Sequence, residues 1–256
     1  MITLNFRRKC PDEDLGDLVS WHWDPSRLGE PKVDTVMDLH KRNISETWRE
    51  RVKRMLEPLH ATCISCGMCS LGRKECHDRD EVFDPHVFSN MNPSRWMIVG
   101  QNPGWNEVIQ GEPFVGDAGQ NFNKEIRKWG LDRSEFYISN ACKCYTVGNS
   151  APTFENTGAC DPFLRMEIGL LKPILVIALG QVAFNVFCPR LQMTDSMGKI
   201  VHSEKFGVNV YPVYHPSGRN LSLAFRKKEF ESGIYDICTL IKMYRLKHHD
   251  SLLSGA

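Results

Sequence analysis

Four short apolar runs punctuate the second half of the chain, and each stops at a glycine, a proline or a polar residue: Trp96–Val99, Phe136–Asn140, Ile174–Leu179 and Val208–Tyr214. Their length and their content of Ile, Val and aromatic residues are those of strands. Ile174–Leu179 is the most apolar and reads as a central strand covered on both faces. Between the runs, apolar residues recur at helical spacing. One such segment goes from Gln120 to Trp129 and is closed by Gly130; a second starts at Cys160 and passes Phe163, Leu164, Met166, Ile168 and Leu171 to Pro173. A third follows Gly180 to Phe187, and a fourth covers Ser222 to Lys247 with Phe230, Ile234, Ile237, Leu240 and Ile241 as its apolar positions. Strand and helix alternate four times, which predicts the α/β class: three α/β/α layers around a central, mostly parallel four-stranded sheet. Residues 188–207 read as a connection with scattered charge. Upstream, Asp34 to His60 is mostly helical in pattern, with Val36, Leu39, Trp48, Val52, Met55 and Leu56 apolar, after an aromatic-rich loop at Trp21–Pro25. Residues 1–60 are therefore expected to be an N-terminal extension packed on a main domain of residues 61–256.

Composition narrows the function classes. A net charge of +1 gives no global basic field, so contact with a nucleic acid must come from a local patch. No apolar run approaches the roughly 20 residues that span a bilayer, and residues 1–10 lack the apolar core of a signal peptide. The expectation is an intracellular protein, cytoplasmic or, in a eukaryote, nuclear, with no membrane partner. Ten cysteines then call for something other than structural disulfides.

Six of them lie in two groups. Cys63, Cys66 and Cys69 form Cys-x2-Cys-x2-Cys, with Cys76 seven residues on, and Cys142-Lys143-Cys144 follows the second strand. A bacterial ferredoxin run would put its fourth cysteine four residues after the third; Arg73 stands there, so a ferredoxin site is not supported. Two ligand sets stay open: a local one of Cys63, Cys66, Cys69 and Cys76, suited to zinc, and one that joins two of these to two distant cysteines.

The other candidate chemistry sits where strands end. Trp96–Val99 runs straight into Gly100-Gln101-Asn102-Pro103-Gly104. In an open α/β sheet the carboxyl ends of the strands carry the ligand site, and a glycine there allows close approach of the backbone. Phe114 lies between a proline and glycines, off any regular apolar face; it is either tucked into the core or an aromatic platform for a flat ligand. The last strand delivers His215-Pro216-Ser217-Gly218-Arg219, and Arg226, Lys227 and Lys228 follow.

In order, Cys66-x2-Cys69-x-Leu71, the Gly100 turn, Pro113-Phe114-Val115-Gly116-x-Ala118-Gly119-Gln120, Tyr137-Ile138-Ser139-Asn140 with Lys143-Cys144, Cys160, Leu179-Gly180 and Tyr214-His215-Pro216-Ser217 make the chain resemble the uracil-DNA glycosylase superfamily, most closely its iron–sulfur branch, family 4. The match covers over half the chain. The resemblance implies a monofunctional enzyme, a hydrolase acting on the N-glycosyl bond of uracil or a related deaminated base in DNA, working as a monomer in base excision repair. It assigns a [4Fe–4S] cluster to Cys66, Cys69, Cys144 and Cys160, structural rather than redox in role. It implies that Phe114 stacks on the flipped base, that Asn140 reads its edge, that His215 and the backbone of Gln101 donate to the leaving base, and that Gly100 and Glu107 belong to the same pocket. Ser217 and Arg219 would contact phosphates. One departure stands out. Family 4 usually reads Gly-Glu-Ala-Pro-Gly in the turn; Gln101 and Asn102 replace the Glu and Ala, which makes the turn similar to the mismatch-specific and single-strand-selective branches, where the Asn positions water. The resemblance thus implies activity, with a base range other than uracil alone. Its rivals are a catalytically weak or inactive DNA-binding member acting as a sensor or protective module, and an iron–sulfur redox protein, against which the complete base-pocket set argues.

Overall fold

The computed structural model describes residues 47–72, 76–78 and 81–253; the aromatic loop at residues 21–25 and the apolar positions Val36 and Leu39 lie outside them. Its first helix, α1 (Trp48–Ile64), starts at a reciprocal cap: Thr47 accepts from the Glu50 amide and the Glu50 carboxylate accepts from Thr47. It runs through residue 60 without a break and buries Val52, Leu56, Leu59 and Cys63, while Met55 faces solvent. A small antiparallel hairpin, β1 (Cys76–Asp78) and β2 (Glu81–Phe83), follows the cysteine loop.

The sheet has the order β4-β3-β5-β7-β6, with β3 (Trp96–Gly100), β4 (Tyr137–Asn140), β5 (Leu175–Leu179) and β7 (Val208–Val213) parallel. These are the four expected strands. A fifth, β6 (Val201–Ser203), pairs antiparallel with the edge of β7 inside the segment read as a connection. It is three residues long with its central His202 exposed, too short for a periodicity to register.

The pleat divides each strand between two cores. Met97 and Val99 of β3, with Val176 and Ala178 of β5, pack under α1, α4 (Phe154–Leu171) and α5 (Gln181–Phe187). Ile98 of β3, with Leu175, Ile177 and Leu179, packs under α3 (Asp117–Lys128) and the long α8 (Ala224–Leu253). Shorter helices α2 (Trp105–Gln110), α6 (Met193–Ser196) and α7 (Gly218–Leu221) sit in the connections. Helix α4 begins at Phe154, six residues ahead of the expected Cys160, because Thr153 and Asn156 cap each other. No described helix is long and apolar enough to cross a membrane.

Candidate active site

The parallel register sets Gly100 beside Asn140 at the carboxyl ends of β3 and β4. Both Gly100 and Gln101 accept from the backbone beyond β4, at Ala141 (2.9 Å) and Cys142 (2.9 Å), so the turn is zipped to the neighbouring strand. A methyl group on Gly100 would come within 2.5 Å of both the Asn140 Oδ1 and the Phe114 ring. Glycine is required because a side-chain amide and an aromatic ring already converge on the space a Cβ would take.

Phe114 is buried, and its φ of 56° is in the left-handed region, at a cost of about 1–3 kcal/mol for a bulky residue. Three contacts hold it there. The Arg133 guanidinium donates to the Phe114 carbonyl (2.9 Å), to the Pro113 carbonyl and to the Glu112 carboxylate (2.9 Å). Gly119 lies so close that a Cβ would overlap the Phe114 carbonyl oxygen. Glu107 ties the ring's loop to the turn: its carboxylate accepts from the amides of Gly104 (3.0 Å), Val115 (3.0 Å) and Gly116 (2.8 Å). Glu107 is thus buried in a cap that joins two loops. Its oxygens face backbone donors, which gives it the geometry of a positioning residue in place of the expected place in the base pocket.

Asn140 is 1% exposed, and neither its Oδ1 nor its Nδ2 has a hydrogen-bond partner among the described residues. An unpaired buried amide is costly, about 1–3 kcal/mol for each group left unsatisfied. It faces Phe114 across Gly100, and the Phe114 ring lies 5.9 Å from that of His215, tilted by 44°. His215 is delivered by the end of β7 and packs on Gly180, whose φ of 93° and absent side chain make room for it. Burial lowers its pKa to about 4, so the imidazole is neutral at pH 7 and carries one N–H donor. The segment after it is braced from two sides: Asn121 of α3 donates to the Pro216 carbonyl (3.0 Å), and Asn220 donates to the His215 carbonyl (2.9 Å) while accepting from Arg226 (2.8 Å). Arg226 also lies over the rings of Tyr214 and Phe225, which makes it a brace, while Arg219, Lys227 and Lys228 are exposed. Ser217 caps α7 through its carbonyl, leaving its hydroxyl for other partners.

Asn102 is half-buried. Its Nδ2 donates to the Pro103 carbonyl (2.9 Å) and to Thr146 Oγ1 (3.1 Å), and its Oδ1 accepts from Gln101 Nε2 (2.9 Å). Thr146 and Arg133 escape sequence reasoning, since each acts on a loop far from it in the chain and neither falls in a motif.

The cysteines lie behind the turn. Cys142, Cys144 and Cys160 pack together with Leu71, and Cys63, Cys66, Cys69 and Cys160 are all near enough to raise the Cys144 thiol electrostatically, on top of the larger effect of burial. His86 joins the two cysteine segments: its backbone bridges to Cys144 and its Nε2 donates to the Cys66 carbonyl (2.9 Å). All of these thiols are free. Among the described residues, no three or more His, Cys, Asp or Glu side chains stand in a metal-holding arrangement; the Cys76 side chain is outside the described residues.

The strand ends of this α/β sheet thus bring together an aromatic ring, a buried amide and a neutral imidazole, and comparison with known proteins gives the family. The family profile described as "Uracil DNA glycosylase superfamily" matches residues 87–237, and the chain belongs to that superfamily. It is similar to the type-4 uracil-DNA glycosylase of Archaeoglobus fulgidus, at 30% identity over 71% of this chain and 91% of that protein. It is also similar to the type-4 uracil-DNA glycosylases of Pyrobaculum aerophilum (36% identity, 47% of this chain and 65% of that protein) and Thermotoga maritima (35%, 48% and 65%). The chain thus spans just under two thirds of the length of these last two relatives.

Proposed function

We propose that this chain is a monofunctional uracil-DNA glycosylase: it flips uracil, or a related deaminated base, out of DNA and hydrolyses its N-glycosyl bond, leaving an abasic site for base excision repair. The observation that carries the reading is Asn140, a buried carboxamide with both polar atoms unpartnered beside an aromatic ring. Uracil offers an N3–H donor and an O4 acceptor on one edge, which match the Oδ1 and Nδ2 of that amide; cytosine offers the opposite pattern. Binding uracil with Oδ1 toward N3–H thus relieves an unsatisfied site. Phe114 supplies a π-face for the flipped base.

As the bond at C1′ breaks, the sugar becomes oxocarbenium-like and the base leaves as an anion. The neutral His215 donates its N–H to the base O2 as charge builds there, and the backbone N–H of Gln101 acts as a second donor. A preorganised donor of this kind is worth about 3 kcal/mol of barrier. Asn102 has no carboxylate and orients the attacking water by hydrogen bonding. Arg219 and Ser217 hold phosphates, making the affinity salt-dependent.

Cys66, Cys69, Cys144 and Cys160 would hold a [4Fe–4S] cluster. Four buried or part-buried thiols, three of them within electrostatic reach of Cys144, suit it chemically. When bound, it would cross-link the α1 loop to α4 and supply no step of the reaction.

The test is incubation with oligonucleotides carrying U:G, U:A or single-stranded uracil, then alkaline cleavage. Strand breaks at uracil are expected; none from any of the three overturns the reading. Binding without breaks would favour the second reading, an inactive DNA-binding member, which rests on the lack of a carboxylate at positions 101 and 102 and on the engagement of Glu107 with backbone amides. A brown protein with about four irons per chain, lost on Cys144→Ala, is expected of the cluster; zinc in a colourless protein overturns it.

A further inference from the structure

An amide that orients water must present its oxygen and nitrogen the right way round, and the two ends of Asn102 are nearly identical in shape. What fixes them is the neighbouring Pro103 carbonyl together with a hydroxyl on another loop. Thr146 is 4% exposed and donates its own proton to the Ser150 carbonyl. Its oxygen is then left only as an acceptor toward Asn102. The Pro103 carbonyl is an acceptor as well, and so is Asn149 Oδ1 at 3.5 Å. Three acceptors surround one end of the Asn102 amide, so that end has to be the nitrogen. The other end is the oxygen, and among the described residues it meets one donor, Gln101 Nε2. A carbonyl oxygen accepts two hydrogen bonds, so one lone pair of Asn102 Oδ1 is unengaged by these partners.

From this we propose that Thr146 is a positioning residue for the hydrolytic step, holding the Asn102 carboxamide with its oxygen toward the attacking water. The proposal rests on the reading of Asn102 given above. The loop is built for the task. Thr146 opens a short 3-10 turn, Val147–Asn149, in which Gly148 and Asn149 adopt left-handed backbone, with φ of 64° and 53°. That turn brings the Ser150 carbonyl back onto the Thr146 hydroxyl. Tyr145, just before it, is held by the Asp78 carboxylate (2.6 Å), which also accepts from the Gly148 amide (3.2 Å). The acceptor-only state of Thr146 is therefore set by backbone geometry and does not depend on the substrate.

The experiment uses the full chain in single-turnover excision from a uracil oligonucleotide, with DNA affinity measured in parallel. Thr146→Val keeps the shape and removes the acceptor. It is expected to slow excision about 10- to 100-fold, the range for a group that orients a catalytic one, while affinity stays within about twofold. Thr146→Ser should restore the rate. In an Asn102→Ala background, Thr146→Val should slow excision no further, because the two act as one unit. A wild-type rate for Thr146→Val beside a slow Asn102→Ala overturns this proposal and leaves the reading of Asn102 standing. A wild-type rate for Asn102→Ala overturns both. Multiplying effects in the double variant also overturn the coupling. If Thr146→Val does not fold, Thr146→Cys tests the same bond with a weak acceptor, and a wild-type rate from it sinks the idea.

Discussion

Strand β4 carries polar side chains on both faces, and the two faces treat them differently. On the α4 side, Lys143 and Glu167 form a buried pair at 2.6 Å, with the Tyr137 hydroxyl (2.8 Å) and the Ser139 hydroxyl (2.7 Å) donating to the second carboxylate oxygen. Lys143 also donates to Ser139 (2.5 Å). Every member of that network has a partner inside the protein. On the other side, one residue along, Asn140 is equally buried and has no partner among the described residues. A satisfied network locks the strand in place, whereas the open hydrogen-bonding capacity of Asn140 is what the proposed function assigns to the base.

The sharpest way to break the comparison is to damage the satisfied face. Glu167→Gln leaves a buried lysine charge uncompensated and should cost about 3–5 kcal/mol in thermal or urea unfolding. The paired change Lys143→Met with Glu167→Leu should recover most of that; if the single variant is as stable as wild type, the network is not the lock described here. The unsatisfied face should respond in the opposite sense. Asn140→Ala is expected to lower the single-turnover rate on uracil about 100- to 1000-fold, the effect of losing one preorganised polar group, with unchanged or higher melting temperature, since it removes an unpaired buried amide. A melting temperature well below wild type would place Asn140 with the scaffold. Arg133→Ala frees the Phe114 carbonyl and should slow excision about tenfold, roughly 1.4 kcal/mol, and in a crystal structure the Phe114 φ should relax to a negative value. The last test concerns His215, for which no change in the rate profile is expected. Its pKa falls from 6.5 to about 4 through burial, so the unfolded chain binds a proton in that interval that the folded site does not. The stability contribution is complete above about pH 6.5 and declines as the pH falls toward 4. The excision rate should show no inflection near 6.5; one appearing there means the imidazole is solvated.

The four parallel strands and their alternation with helices are legible in the chain, because long apolar runs and the glycines at their ends carry strong local signals. The α4 start was hidden by its own cap, since Thr153 and Asn156 are as common in turns as at helix entries. The edge strand β6 is held by its pairing with β7, which no local pattern reports. The same limit applies within the site. Phe114, Asn140 and His215 fall in motifs, whereas Arg133, Gly119 and Thr146 act on loops distant in sequence, and Glu107 could be given its place only once its three amide partners were visible.

The Glu107 cap has a consequence for altering the base range. By bonding the amides of both the Gly104 turn and the Phe114 loop, it welds residues 100–107 and 113–116 into one cassette. Loop transplantation from a relative of different specificity should therefore move both segments together with their acidic residue. A graft of either alone would sever the weld and tilt the stacking ring away from the amide it faces.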